Sequence, residues 1–251
     1  MNGIIFLVLS VIFSSGVAIS MKVANANKLR LGQFLAINYV VCLLALLTWG
    51  FWQKPVSNSL FIWLLGIFIG AMYVISLWLF NRSISATGLA LSTTLMRLSS
   101  ALPTLGSLIL FAEHTNLYQV LGLILAFACL PLSSKEPIRF GQTGKEALKG
   151  MLWGILLFAV YGLTDFTFKI QAELEPLTNP GSFMATIFGT ALLLTFPRLF
   201  KGDRPSKQCV FWGMVLGTTN VLTTYFWIQT LARLPGSVAY PMLGLGVITL
   251  T

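Results

Sequence analysis

The sequence predicts an all-α fold of the polytopic helical membrane class, built from two inverted five-helix repeats. Hydrophobic residues make up 56% of the 251 residues and charged residues only 9%, which is too little charge to cover the surface of a soluble domain. Apolar runs long enough to span a bilayer recur along the whole chain, and they are continuous rather than alternating, which favours helices over a transmembrane barrel. The third observation is an internal repeat.

Nine spans are predicted, in two units. The first unit, residues 1–132, has spans at residues 3–21, 33–52, 60–80, 87–111 and 117–132. The charged segment 133–149 is the predicted linker. The second unit, residues 150–251, has spans at 150–170, 180–200 and 208–231 and a ninth that starts near Gly236.

The repeat emerges when the chain is compared with itself. A shift of about 147 places Gly3 on Gly150 and Lys22 on Lys169, the basic residue that closes the first span of each unit. Five is an odd number of spans, so the second unit must enter the membrane upside down relative to the first, an arrangement typical of secondary transporters. At a shift of 148, Thr251 corresponds to Pro103. We therefore expect the chain to be a fragment that lacks the tenth span; the alternative is a natural nine-span protein.

The net charge of +9 is not a nucleic-acid signal, because the basic residues lie in short loops beside apolar spans. Twelve of the sixteen Lys and Arg residues fall in the loops on one side. The positive-inside rule places that side in the cytoplasm and the N-terminus outside, with membrane lipids as the surrounding partner.

The sharpest chemical feature is a polar stripe within the fourth span. Thr93, Arg97, Ser100 and Thr104 fall on one arc of a helix whose other faces are apolar. A cation at this depth cannot face lipid. We therefore predict that the stripe lines a central cavity, with Arg97 available to an anionic substrate group or to a carboxylate. The alternative is a structural arginine satisfied by backbone carbonyls.

Two further residues are candidates of the same kind. Asp165, in the stretch that begins at Tyr161, is the only acidic residue well inside a span. It is either a proton or cation site or a partner of Arg97, or else it pairs with Lys169 one turn later. Asn220 indicates either a cavity contact or an interhelical hydrogen bond, and Tyr161 joins the candidate lining.

Other chemistry finds little support. Three cysteines without metal-ligand spacing and one histidine, His114, predict neither a metal site nor a catalytic triad. No cofactor is expected, and an intramembrane enzyme is disfavoured. Glu113-His114, just beyond the fourth span, is interpreted as a solvated loop pair.

The sequence has two five-span halves, a basic residue that closes the first span of each, and a Gly-containing turn before a Pro-containing fourth span. In these features it resembles the drug/metabolite transporter superfamily, in particular its ten-span EamA group. The stretches that carry the resemblance are Thr87-Gly-Leu-Ala with Leu102-Pro103-Thr104, and Leu234-Pro235-Gly236-Ser-Val-Ala-Tyr-Pro241. It implies a ten-helix basket with a central cavity and alternating access. Family substrates include amino acids, nucleosides, sugars, sugar nucleotides and drugs. Members commonly have both termini in the cytoplasm, unlike the orientation that the loop charges predict here.

These observations together predict a gradient-driven transporter or exporter of small metabolites in the plasma or inner membrane, with a proton or cation as the coupling ion. The alternative from another class is a non-transporting membrane receptor or assembly protein.

Overall fold

The computed structural model describes residues 2–48, 59–113, 120–122, 124, 125, 128, 145–176, 178–202 and 204–250. Regular structure in these residues is helical throughout, which confirms the all-α polytopic class. The helices are α1 (Asn2–Ala26), α2 (Leu31–Thr48), α3 (Leu60–Thr87), α4 (Leu89–Leu98), α5 (Ala101–Ile109), α6 (Lys145–Leu174), α7 (Pro180–Thr195), α8 (Lys207–Leu231) and α9 (Gly236–Leu250), with a 3-10 turn at Phe196–Leu199 after α7.

Among the described residues, five stretches are long and apolar enough to cross a membrane: Gly3–Ala26, Leu31–Thr48, Leu60–Ile84, Gly150–Leu174 and Pro180–Leu199. A shorter apolar helix covers Gly236–Val247. Continuous apolar sequence becomes helix in a bilayer because only a helix pairs every backbone N–H and C=O within its own segment.

Short polar residues start several of these helices. Ser59 and Ser206 each accept a hydrogen bond from the backbone N–H three residues later, at 3.4 and 3.2 Å. Asn179 caps α7 in the same way, accepting from the N–H of Gly181 at 3.0 Å, and Pro180 occupies the first turn. These caps satisfy donors that would otherwise be unpaired at the helix N-terminus.

Several boundaries differ from the predicted ones. Helix α6 begins at Lys145, inside the predicted linker, and α3 continues to Thr87. The predicted fourth span is two helices, α4 and α5, separated by a break at Ser99-Ser100. Six residues of the predicted fifth span, 117–132, are described and are helical, at 120–122, 124, 125 and 128. The rest of that span and the linker residues 133–144 lie outside the described residues.

Most of the packing joins helices of one half to helices of the other. The larger contacts are α1 with α8, α2 with α8, α3 with α6, α3 with α7, α2 with α7, α5 with α9, α1 with α9, and α4 and α5 with α6. Exchanging the halves (α1 with α6, α2 with α7, α3 with α8, α4 and α5 with α9) converts this set of contacts into itself. The contacts therefore follow an approximate two-fold relation, as expected for a repeated unit.

The helix ends define two faces. At the basic face, Arg198 lies against Gly32, and Thr87 lies against Gly150. At the opposite face, which we call the N-terminal face, Gly3 lies against Leu234. The start of α1 and the ends of α5, α6 and α8 meet there.

Glycines allow the closest helix approaches. A Cβ on Gly70 in α3 would lie 2.4 Å from the Ile187 carbonyl oxygen of α7, and a Cβ on Gly217 in α8 would lie 2.8 Å from the Asn38 carbonyl oxygen of α2. Small residues at such crossings let backbones pack closely in a membrane, where apolar side chains gain little by leaving lipid.

Candidate functional site

A cluster of opposite charges lies near mid-depth, between the two halves. Arg97 of α4 is close enough to Tyr161 and Asp165 of α6 to interact with both electrostatically. Arg97 is nine residues from Gly88 at the basic face, and Asp165 is nine residues from Leu174 at the N-terminal face, so each lies about 14 Å inside its helix end. The structure thus brings together the three predicted residues with the strongest chemistry.

These three side chains are half-buried rather than sealed. In the described part of the chain, no ion pair within 4 Å joins Arg97 to Asp165. An arginine and a carboxylate that interact electrostatically without direct contact leave both groups open to a third, charged molecule.

The local alternative for Asp165, a pair with Lys169, is not what the structure has. Lys169 instead contacts Glu113 at 2.6 Å and Glu173, one turn further along α6. Asp165 therefore interacts with Arg97, while Lys169 belongs to a different cluster at the N-terminal face.

The break between α4 and α5 positions Arg97 at the C-terminal end of α4. Pro103 lacks the N–H that would continue the helical ladder. The hydroxyls of Ser99 and Ser100 donate to the carbonyls of Met96 and Arg97, at 2.6 and 2.8 Å. Serine hydroxyls therefore satisfy backbone acceptors at an interruption that lipid would not tolerate.

The other members of the polar stripe are placed less openly. Ser100 and Thr104 are buried, and the Thr104 hydroxyl donates to the Ser100 carbonyl at 2.8 Å. Thr93 is half-buried and also has a polar interaction. The stripe is present, but Ser100 and Thr104 use their hydroxyl hydrogens on their own backbone.

Asn220 makes the interhelical hydrogen bond that was one of its two interpretations. Its Nδ2 donates to Oδ1 of Asn38 at 3.2 Å, which links α8 to α2. The Cys42 thiol donates to the Gly217 carbonyl at 3.3 Å in the same crossing. Asn220 remains half-buried, and its contact with substrate stays a prediction.

Tyrosines surround the central cluster, and the sequence analysis missed most of them. The Tyr240 hydroxyl of α9 donates to the Asp165 backbone carbonyl at 2.6 Å. Tyr73 lies beside Thr224, and Tyr161 beside Ser76. Tyrosine in an apolar run is not distinctive, but burial obliges its hydroxyl to find a partner, and that is the signal that could have identified them.

The interpretation of Glu113 as a solvated loop residue is wrong. Its side chain is only 12% exposed and its partner Lys169 only 1%. The carboxylate also accepts hydrogen bonds from the backbone N–H groups of Gly236 and Ser237, at 2.8 and 2.9 Å. No local pattern predicts this cluster, because its members lie far apart in the sequence.

Two remaining features complete the surroundings. A cleft of about 410 Å³ opens near the N-terminal face between α6, α7 and α8; its lining includes Gln171, Thr178, Gln229 and Arg233. No group of three or more His, Cys, Asp or Glu side chains that could hold a metal ion occurs among the described residues.

Comparison with known proteins gives three findings. A model of the EamA-like transporter family matches residues 1–134, more than half of the chain. An uncharacterized protein of Haemophilus influenzae is 26% identical over 263 positions, which cover 97% of this chain and 86% of that protein. A crystal structure of a protein of unstated function has a TM-score of 0.75 at 14% identity, over 97% of this chain and 85% of that one. At that identity the last comparison supports the fold alone.

Proposed function

Because the chain belongs to the EamA-like transporter family, whose members are membrane transporters of small molecules, we propose that it is a secondary-active transporter or exporter of small metabolites. Its substrates would be amino acids, nucleosides, sugars or drugs. They would cross by alternating access at a central cavity in the plasma or inner membrane.

One observation carries this proposal: Arg97 and Asp165 lie near mid-depth within electrostatic range of each other, without a direct ion pair. They come from different predicted halves, and charges inside a membrane are costly, so they are kept mainly where they bind an ion or a substrate. Rocking of the halves would present such a site to each face in turn.

Each residue has a role in this mechanism. The Arg97 guanidinium would hold an anionic group of the substrate with two parallel hydrogen bonds. Asp165 would take the coupling proton or cation, and Tyr161 would donate a hydroxyl between them. The remaining wall of the cavity would be formed by the other candidate lining residues, which are Thr93, Ser100, Thr104 and Asn220.

The test is uptake by purified protein in liposomes, screened against amino acids and nucleosides under a proton gradient. Arg97→Ala should abolish uptake while the melting temperature in detergent is kept. Arg82→Ala is the matched control, because Arg82 is an exposed arginine that stacks on Trp78 at 5.3 Å. Equal uptake by the two variants would remove Arg97 from the mechanism.

Asp165→Asn separates coupling from binding. The Tyr240 bond goes to the backbone carbonyl of Asp165, so the substitution leaves that helix contact in place. We expect uptake driven by a proton gradient to be lost while exchange of labelled for unlabelled substrate persists. Absence of flux with every substrate and gradient would instead favour a receptor or assembly protein.

A further inference from the structure

A second charge cluster, at the N-terminal face, joins three helix ends that belong to both halves. Lys169 of α6 is buried and contacts Glu113, which follows α5, at 2.6 Å. The aromatic ring of Phe111, also after α5, lies 5.8 Å from the Lys169 ammonium. Since α5 belongs to the first half and α6 to the second, this ion pair connects the halves directly.

The same carboxylate also holds the start of α9. Glu113 accepts hydrogen bonds from the N–H groups of Gly236 and Ser237, where the helix dipole favours an anion. Gly236 permits this approach, because a Cβ there would lie 2.2 Å from Ser107 Oγ and 3.1 Å from Lys169 Cε. One carboxylate thus connects α5, α6 and α9.

The electrostatics of Glu113 favour its ionised form. Burial alone would raise its pKa, but hydrogen bonds from Lys169, Ser237 and Gly236 outweigh burial, so the pKa lies below its usual value. The carboxylate is therefore charged at neutral pH, as its ion pair with Lys169 requires.

The three connected helices are those that surround the central cluster. Helix α5 continues from α4, which carries Arg97; α6 carries Asp165 and Tyr161; and Tyr240 of α9 bonds to the Asp165 carbonyl. Separation of α5 from α6 and α9 at the N-terminal face would open a path toward that cluster, and their contact closes it.

We propose that Glu113, Lys169 and the first turn of α9 form an ionic latch that closes the N-terminal face of the transporter and must break for the central site to open there. An ion pair suits this task, because water entering the opened face hydrates both separated charges and offsets their lost attraction. The inference rests on the proposed function, since a latch has meaning only if the site is exposed alternately.

Glu173 provides the matched control. It pairs with the same lysine, but from the same helix, and it is 39% exposed. Removing its charge changes the surroundings of Lys169 without cutting the connection between the halves. A general weakening of the charge cluster would affect both sites, whereas loss of the latch requires Glu113.

The probe is a cysteine beneath the latch. Ser107 of α5 is 0% exposed, and its hydroxyl has no hydrogen-bond partner, so Ser107→Cys breaks no bond. In a background without the three native cysteines, a membrane-impermeant maleimide is added at the N-terminal face of protein in liposomes, and the labelling rate is measured without substrate. Melting temperature and size exclusion check that each variant is folded.

Glu113→Gln should raise the labelling rate by about tenfold or more, because it leaves a buried ammonium without its main counter-charge. Lys169→Met should raise it similarly, and it decides the question if Glu113→Gln does not fold. Glu173→Gln should leave the rate within about twofold, as expected for a partly exposed pair. Unchanged labelling in the folded Glu113 and Lys169 variants, or an equal increase with Glu173→Gln, would overturn the latch.

Because labelling needs no flux, its outcome is separate from that of the transport assay. Uptake together with unchanged labelling would reject the latch and keep the transporter. Increased labelling without uptake of any substrate would reject the transporter, and with it the meaning of the latch in a transport cycle.

Discussion

Gly70 and Gly189 are two helical glycines that differ in how closely a neighbouring helix approaches them. The position of a Cβ on Gly70 is occupied by the Ile187 carbonyl oxygen of α7, at 2.4 Å, whereas a Cβ on Gly189 would meet nothing within 4 Å. Both glycines lie inside helices, so the two sites differ in packing rather than in helix propensity.

We expect Gly70→Ala to lower the free energy of unfolding by about 1–3 kcal/mol, the usual effect of overpacking. Gly189→Ala should leave it unchanged or raise it by up to about 1 kcal/mol, because alanine is the better helix former. Thermal unfolding of both variants in the same detergent provides the measurement. A Gly70→Ala protein as stable as the parent would show that α3 and α7 separate easily.

At the residue level, the sequence could identify Arg97 and Asp165 because a charge inside an apolar run is conspicuous. It could not identify Lys169 as buried, since a lysine near the end of a span usually reaches the membrane surface. What keeps Lys169 inside is Glu113, 56 positions earlier in the chain, and no periodicity connects the two.

At the level of elements, the connection between α5 and α9 has a defined pH dependence. The folded-state pKa of Glu113 lies below its usual value because the hydrogen bonds from Lys169, Ser237 and Gly236 outweigh burial. A lowered pKa contributes stability that is fully present above the unfolded-state pKa and is lost as pH falls through the folded-state pKa. Lys169, Glu173 and Tyr240 are the other titratable groups that face this carboxylate.

We therefore expect the melting-temperature difference between the parent protein and Glu113→Gln to be constant from about pH 8 to about pH 5 and to shrink in more acidic buffer. Repeating the titration in Glu173→Gln removes the other carboxylate on Lys169. A difference that already declines between pH 8 and pH 6 would contradict the lowered pKa.

The break between α4 and α5 shows why element boundaries were harder to predict than elements. Pro103 indicates an interruption, but its missing N–H acts four residues upstream, so the helix stops at Leu98 rather than at the proline. In α9, by contrast, Pro241 lies within one uninterrupted helix. Proline thus accompanies a helix break in one case and an uninterrupted helix in the other, and only the first has serines, at 99 and 100, at the position of the break.

At the scale of the whole molecule, the arrangement of faces makes a prediction about orientation. By the count from sequence, twelve of the sixteen basic side chains fall in loops on one side. The described parts of these loops lie at the basic face, where Arg30 is against Gly202 and Arg198 against Gly32, and the positive-inside rule places this face in the cytoplasm. Leu174, 60% exposed, ends α6 at the opposite face, and exposed Gln208 lies in the first turn of α8 at the basic face.

In intact cells, an impermeant thiol reagent should label Leu174→Cys and spare Gln208→Cys, and permeabilised cells should label both. Neither substitution changes the charge of a loop, so the orientation itself is not disturbed. The reverse pattern would place the N-terminal face in the cytoplasm, which is the orientation common in the family.

The all-α polytopic class was accessible to sequence because hydropathy determines it, whereas the inverted relation of the halves stays a prediction. The partners of each helix were not accessible in this way. Nothing in the apolar run of α1 indicates that it packs on α8 rather than on α2, because in lipid the choice depends on surface shape at crossings such as that of Gly16 with Thr219.

The packing of early helices against late ones constrains the order in which the fold forms during synthesis. Helices α1 and α2 reach the membrane early, but their largest contacts are with α8, which begins at Lys207. At about 5–20 residues per second, the roughly 180 residues between α1 and α8 take about 10–40 s to synthesise. For that time the early helices must stay dispersed in lipid or be held by the insertion machinery, because these contacts form only after α8 has been synthesised.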